Sequence, residues 1–161
     1  YVLEMGETAP DRADWTVDSV APLVSRVFIG VEIAGSPFAG INEHGPAVTA
    51  SDFGNNAGLI LGSEVAGWRE RLSDLTCTVA INDIVIGRGG ASSIPGGPLD
   101  SLAFLLNLLH RRGRRLEVGQ LVSTGAATGV HDIFAGQSAS ADFGPDGRID
   151  CVAVPATGAI A

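Results

Sequence analysis

The sequence predicts a β-rich α+β fold, because short β-type segments outnumber helical ones and do not alternate with them regularly. Two such segments, residues 75–81 and 84–88, flank Asn82 and Asp83 and predict a β-hairpin. A single long helix with a wide apolar face is expected after Pro98. These three observations argue against a parallel sheet built from repeated strand–helix–strand units.

The first part of the chain predicts a strand, a helix and a second strand. Residues 1–5 have the composition of a strand. Thr16 is a suitable N-cap, and valines recur behind it at helical spacing, so a helix is predicted over residues 17–27. Pro22 inside this segment is expected to weaken or kink that helix. Residues 28–33 are rich in β-forming side chains and predict the next strand.

The middle of the chain is dominated by loops and the hairpin. Residues 35–46 are expected to form a loop. The short apolar segment 56–62 predicts a buried strand or the edge of a helix, and its pattern leaves both open. After the hairpin, residues 89–97 are rich in Gly and Ser and predict another loop.

The clearest helix begins at Pro98 and ends before Gly113. Pro suits the first helical position, and Gly suits the position just after the last turn. Short strands are predicted at 121–124, 138–143 and 148–154, with a Pro-Asp-Gly turn before the last of them. We therefore assign residues 1–155 to one domain and residues 156–161 to a tail.

Charge and composition exclude several classes of function. The net charge of −8 argues against nucleic acid and anionic membranes as partners. No apolar run of about 18 residues and no signal peptide is visible, so a cytoplasmic protein is expected. All ten basic residues are Arg, which excludes a Lys-dependent Schiff base or a nucleotide-binding P-loop in this chain. Cys77 and Cys151 are interpreted as buried thiols rather than as a disulfide framework.

Local patterns leave the chemistry open. Glu32 lies in an apolar β-type segment, where a carboxylate is costly to bury unless it is paired or metal-bound, but it could equally face solvent at a strand edge. The polar segment 51–58 could present amides and the Asp52 carboxylate to a ligand, or form a simple capped turn. His131 is an exposed loop residue or a base, and no Ser-His-Asp signature is present.

Five blocks occur in an order that resembles the 2-keto-4-pentenoate hydratase family, within the fumarylacetoacetate-hydrolase superfamily. The resemblance runs through nearly the whole chain. The five blocks are residues 16–32, similar to the family's helix followed by a strand that ends in Glu-Ile; residues 51–62, similar to "S-D-N-x-x-N-A-G-x-x-L-G"; residues 96–105, similar to "G-H-P-x-x-x-x-x-W-L"; residues 116–120; and residues 142–147, Asp-Phe-Gly-Pro-Asp-Gly. Each block is weak alone, but the five in order indicate the family.

The resemblance implies a fumarylacetoacetate-hydrolase-type fold, a mixed and rolled β-sheet or barrel with a few helices. It also implies a divalent cation, Mg²⁺ or Mn²⁺, held by an E-x-E pair and one later Glu. Glu32 matches the later Glu and is the predicted metal ligand. The E-x-E pair would precede Tyr1, so we expect that the chain lacks an N-terminal part, which belongs to a longer protein or to a separate polypeptide.

The activity implied is that of a lyase acting on a 2-keto acid, such as a hydratase of 2-hydroxypenta-2,4-dienoate. Asp52 and Asn56 are the predicted catalytic residues, which would position the substrate or a water molecule. Gly125 and Thr128 would bind the substrate carboxylate through an N–H group and a hydroxyl. A homo-oligomer is expected.

The sequence also departs from the family pattern around the expected pocket. Gly35 and Pro37 replace an acidic and a basic residue, Phe53 replaces an Asn, Gly97 replaces a His, and Ala126 replaces a small hydroxyl residue. Two alternatives therefore stay open: a decarboxylase of 2-oxo-dicarboxylates from the same family, and a divergent, non-catalytic partner subunit.

Overall fold

The computed structural model describes residues 1–38 and 40–155, which form eight strands, four α-helices and several single 3₁₀ turns. The predicted tail, residues 156–161, lies outside the described residues. The strands are β1 (Val2–Met5), β2 (Val24–Ala34), β3 (Asn56–Glu64), β4 (Thr76–Ile81), β5 (Ile84–Gly90), β6 (Leu121–Ser123), β7 (Ser138–Asp142) and β8 (Arg148–Val152). The α-helices are α1 (Val17–Val20), α2 (Pro46–Ser51), α3 (Trp68–Arg71) and α4 (Pro98–Arg111).

The strands form two four-stranded sheets with the orders β3-β2-β1-β6 and β5-β4-β7-β8. Every pairing in these sheets is antiparallel. The prediction of a β-rich α+β fold is therefore confirmed. Neither sheet closes on itself within the described residues, so the arrangement is two open sheets rather than a complete barrel.

One hydrophobic cluster joins both sheets and α4. Its members include Leu3 and Ile29 from the first sheet, Ala141 and Ile149 from the second, and Leu102 from the helix. The sheets approach closely at Gly62, where a Cβ would lie 2.6 Å from Cγ1 of Ile29 and 3.0 Å from Cδ1 of Ile149. Any larger side chain at this position would force the two layers apart.

The predicted hairpin and long helix are both present. Asn82 and Asp83 have φ values of 47° and 63°, as a two-residue type I′ turn between β4 and β5 requires. Helix α4 begins at Pro98, and Gly113 follows its end with a φ of 64°. Both features carry strong local signals, a turn that needs two left-handed residues and a helix with an apolar face.

The predicted helix over residues 17–27 is wrong. Helix α1 ends at Val20, a 3₁₀ turn covers Ala21–Leu23, and β2 begins at Val24. Pro22 has no N–H to donate to a helical hydrogen bond, although Ala21 before it keeps helical dihedrals, with φ −54° and ψ −41°. The valines beyond it are β-branched, and pairing with β1 buries Val24 and Val27 on the strand.

Segment 56–62 belongs to strand β3, which settles the helix-or-strand alternative. The strand is at the edge of its sheet and much of it is exposed, so the expectation of a buried strand is wrong. No helix among the described residues has the length and apolar character needed to cross a bilayer.

Candidate functional site

Glu32 lies on the part of β2 that continues past the residues paired with β1. The last β1–β2 pair joins Val2 to Phe28, and Val2 also pairs with Ser123 on the other side of β1. Farther along β2, Glu32 is paired through its backbone with Leu59 of β3. The carboxylate of Glu32 therefore lies next to the start of β1, between the ends of β2 and β6.

Two neutral side chains hold this carboxylate. The Asn56 amide donates to Oε1 of Glu32 at 3.1 Å, and the Ser123 hydroxyl donates to Oε2 at 3.1 Å. Glu32 is exposed, and neither partner carries a charge that would neutralise it. Each carboxylate oxygen keeps lone pairs that are not used by these hydrogen bonds. The group is thus oriented and negatively charged, as a ligand for a hard cation must be.

Asn56 is placed by an unusual loop. The three residues before it, Phe53, Gly54 and Asn55, all have positive φ values, of 53°, 71° and 64°. Left-handed conformations are costly for residues other than Gly, and such strain is characteristic of functional loops. The Phe53 side chain is 90% exposed. The strained loop turns the chain so that Asn56 opens β3 beside Glu32.

Asp52 lies at the end of α2, four positions before Asn56, and is half-buried. Its backbone carbonyl accepts a 2.8 Å hydrogen bond from the N–H of Asn55, which fixes the turn. Among the described residues, no side chain donates a hydrogen bond to its carboxylate. The loop connects Asp52 to the Glu32–Asn56 pair, but Asp52 makes no hydrogen bond to either side chain there.

Gly125 and Thr128 lie on the loop that follows β6. This loop crosses the second sheet where β5 carries no side chains: a Cβ at Gly87 would lie 2.9 Å from the Thr128 carbonyl oxygen, and one at Gly89 would overlap the carbonyl oxygen of Ala127. Nε2 of His131 lies 2.9 Å from the Thr128 carbonyl oxygen. His131 therefore fixes the loop that carries Thr128.

A groove of about 540 Å³ lies between α4 and β6. Its lining includes Ser123, which holds Glu32, and Gly125, one of the two predicted substrate-binding residues. Ser123 is thus shared by the groove and the contact with Glu32, whereas Glu32 itself is not among the lining residues. The volume is within the usual range for small-molecule sites. Thr128 is not among the lining residues.

Of the five predicted site residues, the structure brings Glu32 and Asn56 into direct contact and connects Gly125 to them through Ser123. Asp52 and Thr128 make no hydrogen bond to this group. Sequence analysis missed Ser123 because strands β2 and β6 are separated by β1 and by many residues along the chain. Its hydroxyl, two positions before Gly125, carries no distinctive local signal.

The Glu32 carboxylate, oriented by Asn56 and Ser123, is suited to be one ligand of a metal site. A carboxylate with hydrogen-bonded, neutral neighbours suits Mg²⁺ or another cation that prefers oxygen. No cluster of three or more His, Cys, Asp or Glu side chains able to hold a metal is found among the residues described. The described residues therefore offer Glu32 as one candidate ligand but do not form a complete metal site by themselves.

No protein-family model matches this sequence, and no curated protein matches it at a significant level. Solved structures do resemble it. They include 4-oxalocrotonate decarboxylase from Pseudomonas putida G7, complexed with calcium and acetate, with a TM-score of 0.81 at 20% identity. The same enzyme complexed with magnesium and adipate gives a TM-score of 0.83 at 21% identity.

These alignments cover 95% of this chain but 57% and 58% of the decarboxylase chains. The chain thus spans less than three fifths of the structures that it resembles. The likeness confirms the predicted fold, which is of the fumarylacetoacetate-hydrolase type. It shows the fold alone and does not single out the hydratase family.

Proposed function

We propose that this chain is part of a divalent-cation-dependent lyase that acts on a 2-keto acid, by hydrating a 2-hydroxydienoate such as 2-hydroxypenta-2,4-dienoate. The observation that carries this proposal is the Glu32 carboxylate, held by Asn56 and Ser123 beside an open groove. The shared fold adds support, because the similar structures are those of an enzyme complexed with calcium or magnesium.

Glu32 would hold Mg²⁺ or Mn²⁺ through a carboxylate oxygen. Such a cation would supply Lewis-acid polarisation of the oxygens of a 2-keto acid. The chain's own contribution is to keep the carboxylate in one orientation. Asn56 does so from β3 and Ser123 from β6, so that the ligand does not need to be ordered when the substrate binds.

The other predicted residues would act on the substrate. Asp52, to which no described side chain donates a hydrogen bond, would accept a proton or orient a water molecule. The N–H of Gly125 and the hydroxyl of Thr128 would bind the substrate carboxylate. Gly125 lines the groove, and its φ of 115° is available to few other residues.

A second candidate is a decarboxylase of 2-oxo-dicarboxylates. The specific observation in its favour is that the similar structures are of 4-oxalocrotonate decarboxylase. Both reactions use a chelated 2-keto acid, and they differ in the bond that is made or broken. We further propose that the protein works in the cytoplasm as a homo-oligomer, with its other ligands supplied by a longer chain or by a separate N-terminal polypeptide.

The substitution Glu32→Gln provides the test. We expect Glu32→Gln to abolish Mg²⁺ binding in calorimetric titration of the intact protein and to abolish turnover of 2-hydroxypenta-2,4-dienoate. The melting temperature should change little, because the side chain is exposed. Glu64→Gln is the matched control, since Glu64 is an exposed carboxylate at the far end of β3. Unchanged Mg²⁺ binding in Glu32→Gln would contradict the proposal, and a folded protein that binds no cation would favour a non-catalytic partner subunit.

A further inference from the structure

We propose that two copies of this chain associate at the end of α4, with the arginines of each copy facing an acidic segment of the other. The surface consists of residues 110–118, which we call the arginine turn, and residues 7–18, which we call the acidic segment. This inference rests on the homo-oligomer proposed above and names its interface. It is independent of the cation and of the substrate.

The arginine turn carries cations that the fold does not use. Four of the ten arginines lie within residues 111–115. Arg111, Arg112 and Arg114 are exposed, and their side chains make no ion pair or hydrogen bond with any residue that the structure describes. Arg115 pairs with Glu117 at 3.3 Å. Adjacent like charges repel one another, so an anionic surface brought against this turn would be attracted to it.

The remaining arginines of the chain are used differently. Each of them binds a carboxylate, a hydroxyl or a backbone carbonyl oxygen, as Arg12, Arg26, Arg69, Arg71, Arg88 and Arg148 do. Three neighbouring arginines without such a partner therefore distinguish this turn in a chain whose net charge is −8.

The arginine side chains are also not needed to end the helix. Cationic side chains at a helix C-terminus often donate to its last carbonyl groups. Here the backbone does so: the N–H groups of Arg112 and Arg114 donate to the Leu109 carbonyl at 2.9 Å, and that of Gly113 donates to the His110 carbonyl at 3.0 Å. The three guanidinium groups are thus left for a partner outside this chain.

The acidic segment lies directly beside the arginine turn. It carries four exposed carboxylates and one cation, those of Glu7, Asp11, Asp14, Asp18 and Arg12. Asn107 of α4 and the backbone of Trp15 exchange hydrogen bonds of 2.9 and 3.0 Å, which fix the segment against the helix. The His110 ring pairs with Asp11 at 2.9 Å, but in the described part of the chain no carboxylate of the segment pairs with an arginine of the turn. Opposite charges therefore lie side by side without neutralising each other.

A two-fold axis would make this surface complementary to itself. In a symmetric dimer each patch contacts the same patch of the other copy, so an axis that passes between the turn and the segment places each arginine turn against the other copy's acidic segment. Val118 of the turn, 61% exposed, and Val17 of the segment, 38% exposed, would supply apolar contacts of the kind found at the centre of an interface. A partner with only acidic or only basic residues would match one half of this surface and repel the other.

Charge reversal tests this interface in the intact protein. One variant combines Arg111→Glu and Arg114→Glu, and the other combines Glu7→Arg and Asp18→Arg. In sedimentation equilibrium we expect the dissociation constant of the dimer to rise at least about tenfold for each variant alone, since like charges then meet. We expect an equimolar mixture of the two variants to associate again, because each altered surface finds the opposite charge on the other variant. Such a rescue also shows that both variants are folded.

Arg88→Glu combined with Arg148→Glu is the matched control. It changes the net charge as much as the first variant does, on exposed residues of β5 and β8, and should dissociate like the unchanged protein. Unaltered dissociation of both charge-reversed variants would overturn the inference and leave the homo-oligomer standing. A mixture of the two variants that stays dissociated would also overturn it. If the unchanged protein is a monomer at every concentration, the proposed homo-oligomer and this interface both fail, whereas the proposed lyase activity is judged separately with Glu32→Gln.

Discussion

Ser123 at the end of β6 donates a hydrogen bond to Glu32 on β2, although β1 lies between these two strands in the sheet. The contact is possible because β2 continues past the residues that pair with β1. The Glu32 side chain therefore reaches across the space at the start of β1. With Asn56 on the opposite side, Ser123 fixes the plane of the carboxylate. A ligand fixed in this way loses less conformational entropy when it binds a cation.

Removal of the Ser123 hydroxyl should weaken cation binding. We expect Ser123→Ala to raise the Kd for Mg²⁺ by about tenfold, within the range seen when the partner of a metal ligand is removed. Ser123→Thr keeps the donor and should restore most of the affinity. Ser73→Ala is a suitable control, because Ser73 is exposed and bonds to Asp74 away from the site. Calorimetric titration with Mg²⁺ checks this expectation, and an unaltered Kd in Ser123→Ala would exclude a positioning role.

Arg71 is expected to stabilise the fold through its pairing with Asp146. The guanidinium donates two hydrogen bonds to this carboxylate, one of 2.9 Å from Nη1 and a shorter one from Nη2. The Asp146 side chain is only 7% exposed, so Arg71→Ala would leave a buried charge without its partner. We expect the free energy of unfolding to fall by about 2–3 kcal/mol in urea denaturation.

Arg115→Ala is the matched control for this ion pair. Arg115 and Glu117 are both more than half exposed, and such pairs contribute less than about 1 kcal/mol. If the two variants lost the same amount of stability, burial of Asp146 would not be the reason for the strength of the Arg71 pair.

The elements that the sequence predicted correctly are those whose signals are local. The β4–β5 hairpin depends on two adjacent left-handed residues, Asn82 and Asp83, and α4 on a proline, an apolar face and a glycine within one segment. The helix predicted for the segment after Val20 was wrong because the valines of this segment fit a helix and a strand equally well. The segment forms a strand because it pairs with β1, which is a tertiary contact that the local sequence does not show.

The site was only partly predictable for the same reason. Glu32 and Asn56 were identified through a resemblance between ordered blocks, and the structure brings their side chains into contact. Ser123 lies outside the five blocks and was not found in this way. The groove residues Asp100 and Phe104 lie within the block 96–105, but nothing in that block assigned them to the site. Their relation to Glu32 depends on the order of strands in the sheet and on the packing of α4 beside β6, which no local pattern encodes.

Stability should fall in alkaline solution because Cys77 is buried. Burial raises the pKa of its thiol from 9.0 to about 11, so the folded protein keeps the proton at pH values where the unfolded chain has lost it. The contribution is complete below pH 9 and is lost as the pH rises to about 11. We expect the decrease in the free energy of unfolding between pH 8 and pH 11 to be smaller for Cys77→Ala than for the unchanged protein, as measured by urea denaturation. Parallel pH profiles for the two proteins would contradict this assignment.

Gly89 should be essential for the loop that carries the predicted substrate-binding residues. A Cβ at this position would overlap the carbonyl oxygen of Ala127, which is backbone and cannot rotate away. We expect Gly89→Ala to displace the loop with Thr128 and to lower the free energy of unfolding by about 1–3 kcal/mol. Affinity for 2-hydroxypenta-2,4-dienoate should fall, whereas affinity for Mg²⁺ should persist, because Glu32, Asn56 and Ser123 belong to the other sheet. Calorimetric titration of both ligands separates these effects. Equal losses of affinity for Mg²⁺ and for the acid would show that the loop supports the whole site rather than the substrate alone.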